Sequence, residues 1–388
     1  MSSKNCKNKK IVFYRRDFSG GVFVYDEKTV AVVVKAYNEE TQIRLVLDMM
    51  PNFVDRIVVV NDGSKDATPL VVAEYIARGC ESNILIEINE EKIDEKNPYH
   101  YALKALKEMR DFEEQFYPVS DIYNDNNSDR IVLINQENSG AGAAVATGYK
   151  WCREHRIDCA VVMDGDGQMD PSELQGIVTP IINNGVDYVK GNRLIHPASR
   201  LIIPKIRFLG NSILSLLTKI ASGYWDVSDT QTGYTAISLN ALDRLSLHDI
   251  YRSYGYPNDI LVKLNMAYCT IREVPIKPVY RIGEQSKMKI GRLIPRVSWL
   301  LLKSFFKRIF WKYLVRDFHP LSLFYFVGLA LGIWNIYFFG RIITNLFIRG
   351  TPVPQGVYMI FVLFSLFSFQ SIGFAMWMDI HDNQRLYK

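Results

Sequence analysis

Cys159-Ala-Val-Val-Met-Asp164-Gly-Asp166-Gly-Gln168-Met-Asp170-Pro171 is an apolar run that gives way to three acids and an amide within seven residues. Hydrophobic alternation is absent from Ala160 to Met163, as expected for a central parallel strand covered on both faces. The acids then emerge at the carboxyl end of that strand, where open α/β sheets place their ligands. Asp164, Asp166 and Gln168 are two residues apart, so a turning backbone converges their oxygens on one hard cation that keeps water and substrate phosphates as its other ligands. The competing reading is a polar turn in which Asp170 or Ser172 caps a helix that starts near Pro171.

The flanking pattern supports the first reading. Thr29–Val34 is a β-branched run, and Tyr37-Asn38-Glu39-Glu40 opens a helix through about Met50. Arg56–Val60 is a second strand ending in Asn61-Asp62-Gly63-Ser64, Asp66-Ala-Thr-Pro69 starts the next helix, and Asn83–Ile88 predicts a third strand. Residues 90–130 interrupt the alternation with a charged helix over Tyr99–Gln115 and a polar loop over Ser120–Asp129, the pattern of a surface insertion. It resumes with Ile131–Ile134 and the glycine-rich turn Asn138-Ser-Gly140-Ala-Gly142, which feeds a helix through His155. That turn follows the fourth strand and lacks an acid in the dinucleotide role, so its small residues are read as allowing a helix or a nucleotide close to the backbone. Alternation of this kind implies a Rossmann-like, mostly parallel sheet with right-handed crossovers. The first 28 residues form an extension in which Ile11–Phe18 and Val22–Tyr25 predict a hairpin.

With 388 residues and a formal charge of +5 from 46 basic and 41 acidic side chains, the chain is too mildly basic for a nucleic-acid binder. Five scattered cysteines without CxxC spacing suggest neither a disulfide framework nor a zinc site. Met1–Lys10 is polar and basic with no apolar segment behind it, so no cleavable secretory signal is expected.

Four motifs in order, across roughly residues 30 to 290, resemble the family 2 glycosyltransferases of GT-A fold. Within that family they are similar to the transferases that load a sugar onto dolichyl or undecaprenyl phosphate. Ala36-Tyr37-Asn38-Glu39-Glu40 looks like the family's first nucleotide-contacting turn, although Lys35 stands where the family usually has proline. Asn61-Asp62-Gly63-Ser64 looks like the second, whose Asp holds the base, and Asn138-Ser-Gly140-Ala-Gly142 matches the segment bordering the nucleotide. Asp164-Gly-Asp166-Gly-Gln168 matches the metal-holding segment. The resemblance thus implies Mg²⁺ or Mn²⁺ on Asp164, Asp166 and Gln168. It places a UDP- or GDP-sugar against Ala36, Tyr37, Glu39, Asp62, Asn138 and Gly140. Gly191-Asn192-Arg193 falls where the family has a basic residue facing the acceptor, and Arg281 and Lys287 lie in what looks like its closing segment. Arg193 and Arg281 are therefore expected to orient an acceptor phosphate, with Asp229 and Asp259 as the carboxylates available if a general base is needed. Leu201–Thr218 is either a helix at the membrane surface or an ordinary core helix.

After Gly291 the composition changes. Trp299, Leu302, Phe306, Ile309, Phe310 and Tyr313 share one helical face and Lys303, Lys307, Arg308 and Lys312 the rest, which predicts an interfacial helix over 292–318. Residues 321–340 and 357–378 are uncharged and long enough to cross about 30 Å of hydrocarbon. Basic residues flank the outer ends of this pair, whereas the connecting loop 341–356 holds only Arg341 and Arg349. The positive-inside bias then puts the catalytic domain (29–291) and both termini in the cytosol; the membrane expected is a bacterial inner membrane rather than the endoplasmic reticulum. The expected activity is inverting transfer of one sugar to a polyprenyl phosphate at a bilayer, with a homo-oligomer left open. A transferase acting on a sugar hydroxyl or a processive polysaccharide synthase shares the catalytic domain, but a synthase calls for more spans and a QxxRW-like segment. A membrane scaffold without activity leaves the four motifs as coincidence.

Overall fold

The computed structural model of the chain describes residues 14–15, 28–79, 84–85, 98–124, 129–197, 199, 205–279 and 290–388. Its centre is an eight-stranded sheet in the order β10-β8-β9-β7-β2-β3-β6-β5. The strands are β2 (Val30–Ala36), β3 (Arg56–Asp62), β5 (Ser120–Ile122), β6 (Ile131–Gln136), β7 (Cys159–Asp164), β8 (Tyr188–Asn192), β9 (Thr235–Ser238) and β10 (Ile271–Pro275). β5 and β9 run antiparallel to their neighbours, and the other pairings are parallel. Alternate residues of the central strands enter two apolar layers: Val33, Val58, Val132 and Val162 on one face, Val32, Val59, Leu133 and Val161 on the other. Each fully buried aliphatic side chain stabilises the fold by about 1.5–3 kcal/mol, so both faces of these strands must be covered. Helices α1 (Ile43–Asp48), α2 (Thr68–Ala77), α4 (Ala141–Glu154) and α5 (Leu174–Asn184) do this, as the missing alternation requires.

Several expectations change. Ile84–Leu85 (β4) is not a strand of the main sheet; it pairs antiparallel with Tyr14–Arg15 (β1), because β6 occupies the edge of β3. The expected N-terminal hairpin is therefore not the pairing formed by Tyr14–Arg15, and its second arm, Val22–Tyr25, lies outside the described residues. The insertion carries helix α3 (His100–Glu114), and its loop contains β5, which closes the sheet edge against β6. α3 is anchored, since the buried Glu113 accepts from Arg153 of α4 at 3.0 Å.

Later in the chain come α6 (Lys205–Ser222), α7 (Leu239–Arg244) and α8 (Tyr256–Met266), followed by α9 (Ile290–Arg308). Val297 and Leu301 of α9 pack on Leu214 and Ala221 of α6 and Val262 of α8. Trp299, Leu302, Phe306 and Phe310 remain exposed, as an interfacial face requires, whereas Ile309 and Tyr313 are buried. Arg308 and Lys312 are not on a headgroup-facing surface: both are buried at the junction with the C-terminal helices. Those are α10 (Pro320–Ile343), which continues as a π-helix to Arg349, and α11 (Gln355–Gln384). Both are longer than the expected spans and long and apolar enough to cross a membrane, with only 28% and 11% of their most apolar windows buried. The connection between them shrinks to residues 350–354.

One buried ion pair fastens this hairpin to the sheet domain. Arg308 Nη1 and Nη2 donate to Asp379 Oδ1 and Oδ2 at 2.7 and 2.9 Å, while Nε and Nη2 donate to the carbonyls of Ala221 and Ile220. Lys312 donates to Asn265 and Asn383, and Trp225 to Asp379. The last residues are docked rather than free in solvent, with the Ile271 N–H donating to the Leu386 carbonyl at 2.7 Å. Arg308→Met leaves a buried carboxylate unpaired and is expected to destabilise the detergent-solubilised protein by about 3–5 kcal/mol, whereas the double variant Arg308→Met/Asp379→Leu recovers most of that loss. Thermal unfolding of the three proteins checks the order.

Candidate active site

Parallel pairing brings one end of every central strand to the same rim. Lys35 registers with Asp164, Ala36 with Asn61, and Asp62 with Gln136. The first two turns then lock together. Asn38 adopts a left-handed backbone, φ 56°, and its N–H donates to Ser64 Oγ while its Oδ1 accepts from Lys65 N–H at 2.7 Å. Glu39 N–H donates to Thr68 Oγ1, and Glu40 accepts from Ala67 N–H. Ala36 and Tyr37 therefore lead into a turn held by the Asn61–Thr68 segment.

Asp62 is buried and committed to the glycine-rich turn. Its Oδ1 accepts from Gln136 Nε2 at 2.7 Å and Ser139 N–H at 2.8 Å, and its Oδ2 from Gly140 N–H at 2.9 Å. Asn138 and Gly140 are thereby placed beside the second turn, and a Cβ on Gly63 would come within 2.8 Å of the Asn138 nitrogen. Gly140, at φ 98°, and Gly142 lie against the backbone of 251–252, with Gly142 N–H donating to the Arg252 carbonyl at 2.8 Å. It is this protein segment that needs the absent side chains, since a Cβ on Gly142 would collide with the Tyr251 carbonyl.

The acidic turn opens at the next strand. Asp166 Oδ1 accepts from Gln168 N–H at 2.9 Å, so Gln168 orients a carboxylate through its backbone. Asp170 caps the following turn through Ser172 N–H, as the simpler reading of that residue has it. Among the described residues no three His, Cys, Asp or Glu side chains converge closely enough to hold a metal alone. Two carboxylates at one rim, Asp166 bonded to Gln168 N–H and Asp164 to a lysine ammonium, are an oxygen donor set of the kind a hard cation takes together with water and a diphosphate. Lys35, a charged residue inside an otherwise apolar strand, ion-pairs with Asp164 and sits 5.6 Å from the centre of the Tyr256 ring. Burial pulls its ammonium down to about 8, against the opposing charges of Asp166 and Glu39.

The turn at Gly233 closes on the same point. A Cβ on Gly233 would lie 2.8 Å from Tyr256 Oη and 3.9 Å from Asp164 Oδ2. Arg193, at the end of β8, forks onto Asp229 through Nε at 2.8 Å and Nη2 at 3.0 Å. Burial opposes the charge of Asp229, but the Arg193 fork outweighs it and holds this carboxyl below its ordinary range. Asp259 lies within the first turn of α8, where it accepts from Tyr251 N–H at 2.9 Å and ion-pairs with Lys263. Both carboxylates are already bonded to neighbouring groups. Arg281 and Lys287 lie outside the described residues. Sequence reasoning missed Lys190 and Glu273: Lys190 Nζ donates to the Thr232 carbonyl at 2.6 Å, and Glu273 accepts from Asn192, Ser228 and Asp229. A lysine in the middle of the strand Tyr188–Asn192 was the available signal.

Residues 117–246 match the family model described as glycosyl transferase family 2. The UDP-N-acetylglucosamine–dolichyl-phosphate N-acetylglucosaminyltransferase of Methanococcus voltae is 31% identical over 66% of this chain and 87% of its own length. The chain belongs to glycosyl transferase family 2. A dolichyl-phosphate β-glucosyltransferase of Trichomonas vaginalis is 26% identical to this transferase over 74% of the chain and 76% of the relative. An undecaprenyl-phosphate mannosyltransferase of Micrococcus luteus is 29% identical over 41% and 65%. A glucosyl-3-phosphoglycerate synthase from Mycobacterium tuberculosis, solved with UDP, superposes with TM-score 0.44 at 18% identity over 73% of this chain and 80% of that one.

Asp62→Ala would leave three donors at the heart of the rim without their acceptor, and is expected to lower stability by about 3 kcal/mol. Chemical denaturation checks this, with calorimetry on UDP showing whether the loosened 136–140 turn also weakens nucleotide binding.

Proposed function

We propose that this transferase moves a single sugar from a nucleoside diphosphate sugar to a polyprenyl phosphate at a membrane surface, with inversion at the anomeric carbon. The observation that carries the reading is the convergence of Asp164, Asp166 and the Gly233 turn at one rim, in a chain whose α10 and α11 suit a bilayer. In the reaction the anomeric carbon loses its bond to the donor diphosphate and gains one to an acceptor phosphate oxygen, in one in-line displacement. That oxygen is already anionic near neutral pH, so no general base is needed. The prior commitment of Asp229 to Arg193 and of Asp259 to Tyr251 and Lys263 agrees with this chemistry.

Asp164 and Asp166 would hold Mg²⁺ or Mn²⁺, with Gln168 orienting Asp166; the ion supplies Lewis-acid neutralisation of the leaving diphosphate. Ala36, Tyr37, Glu39, Asp62, Asn138 and Gly140 form the donor side, Asp62 by holding the 136–140 turn in place. Arg193 and Arg281 are proposed to orient the acceptor phosphate, whose charge repels the donor. UDP is the first nucleotide to test, because the Methanococcus relative is named for a UDP-sugar. The exposed face of α9 would lie among headgroups. The excess of Lys303, Lys307, Arg316, Arg385 and Lys388 over Arg341 and Arg349 at the far end supports a cytosolic sheet domain and cytosolic termini.

Labelled sugar is expected in an organic-extractable lipid phosphodiester when a short polyprenyl phosphate is the acceptor. EDTA should stop transfer, and Asp166→Ala should lower turnover by on the order of a hundredfold. A labelled polymer, or a polyprenyl phosphate that is never labelled, would replace this reading with a synthase or a hydroxyl acceptor.

A further inference from the structure

Lys35 reaches Asp164 because the β2–β7 register sets the two residues side by side, so the contact is dictated by backbone pairing rather than by chance meeting of surface side chains. Asp164 Oδ1 is buried, and the ammonium of Lys35 sits directly on it. Both side chains are partly covered, at 14% and 26% exposure, so water screens the pair weakly. Asp166 and Glu39 are the other acids acting on the same ammonium, and Tyr256 lies across it. A lysine here is a positive charge on a flexible four-carbon stem, seated where the metal turn presents its first carboxylate.

We propose that Lys35 is a tethered counter-cation of the metal turn: it holds Asp164 in the donor-free enzyme and passes to the diphosphate of the bound nucleotide. The inference rests on reading Asp164 and Asp166 as the turn that faces the diphosphate. A divalent ion arriving at Asp164 meets the ammonium as a like charge, so the site binds metal poorly until the lysine leaves. Diphosphate is the anion that can receive it, since the same rim carries the nucleotide turns. The lysine thus couples metal entry to nucleotide entry and contributes a second positive charge to the departing phosphate.

The test uses the full chain in detergent micelles, with Mn²⁺ binding read by electron paramagnetic resonance without nucleotide and UDP binding read by calorimetry in EDTA. Lys35→Met is expected to bind Mn²⁺ about tenfold more tightly and UDP about tenfold more weakly than wild type, whereas Lys35→Arg, which keeps the charge, stays near wild type in both. No change in either quantity for Lys35→Met, or a Lys35→Arg protein that behaves like Lys35→Met, overturns the proposal. Asp166→Asn separates the two levels. If it weakens Mn²⁺ binding while Lys35→Met is silent, only the role of Lys35 falls; if it changes neither Mn²⁺ nor UDP binding, the metal-turn reading itself falls.

Discussion

Parallel pairing of β2 with β3 on one side and β7 on the other is the constraint on which the site depends. Parallel strands need crossovers that return over the sheet faces, so every central strand ends at the same rim and every turn there must coexist with its neighbours. The hydrogen bonds are the consequence. Asn38 is held by Ser64 and Lys65, Asp62 by the 136–140 turn, and Lys35 by Asp164, all across strand boundaries. Segments distant in sequence therefore form one surface whose parts cannot shift singly.

Charge at this rim is distributed with little left unassigned. Asp62 and Asp229 are buried and fully bonded to neighbouring turns, while Asp164 is matched by a single lysine and Asp166 by its own turn. The division suits an acceptor that brings its own negative charge. Such an enzyme requires cations and fixed geometry more than it requires a proton acceptor.

The membrane-directed part packs against this rim through α8 and α9. α8 begins at Tyr256 beside Gly233 and packs on α9 further along, and α9 ends in the Arg308–Asp379 pair. A bidentate, fully buried pair tolerates little displacement, because moving either partner strands a charge in an apolar junction. The apolar hairpin, the buried face of α9 and α8 accordingly form a continuous chain of packed elements.

Strand and helix alternation, the acidic turn at the end of Cys159–Met163, the α3 helix and the two apolar spans were all legible from periodicity, since each depends on short-range pattern and on burial of an apolar face. Pairing partners were not. Ile84–Leu85 reads as a strand whichever sheet it joins, and only competition with β6 for the edge of β3 sends it to Tyr14–Arg15. Polar burial was equally hidden: Arg308 and Lys312 fit a headgroup-facing stripe by spacing, and become internal because Asp379 and Asn383, more than sixty residues later, fold back onto them. The same holds for Asp62 and Lys35, whose residue types suggest a site while their partners come from beyond their own strands. Local sequence determines which segments form and which side chains reach the rim; tertiary pairing decides which of those charges are already spoken for, because electrostatic neutralisation acts through space and not along the chain.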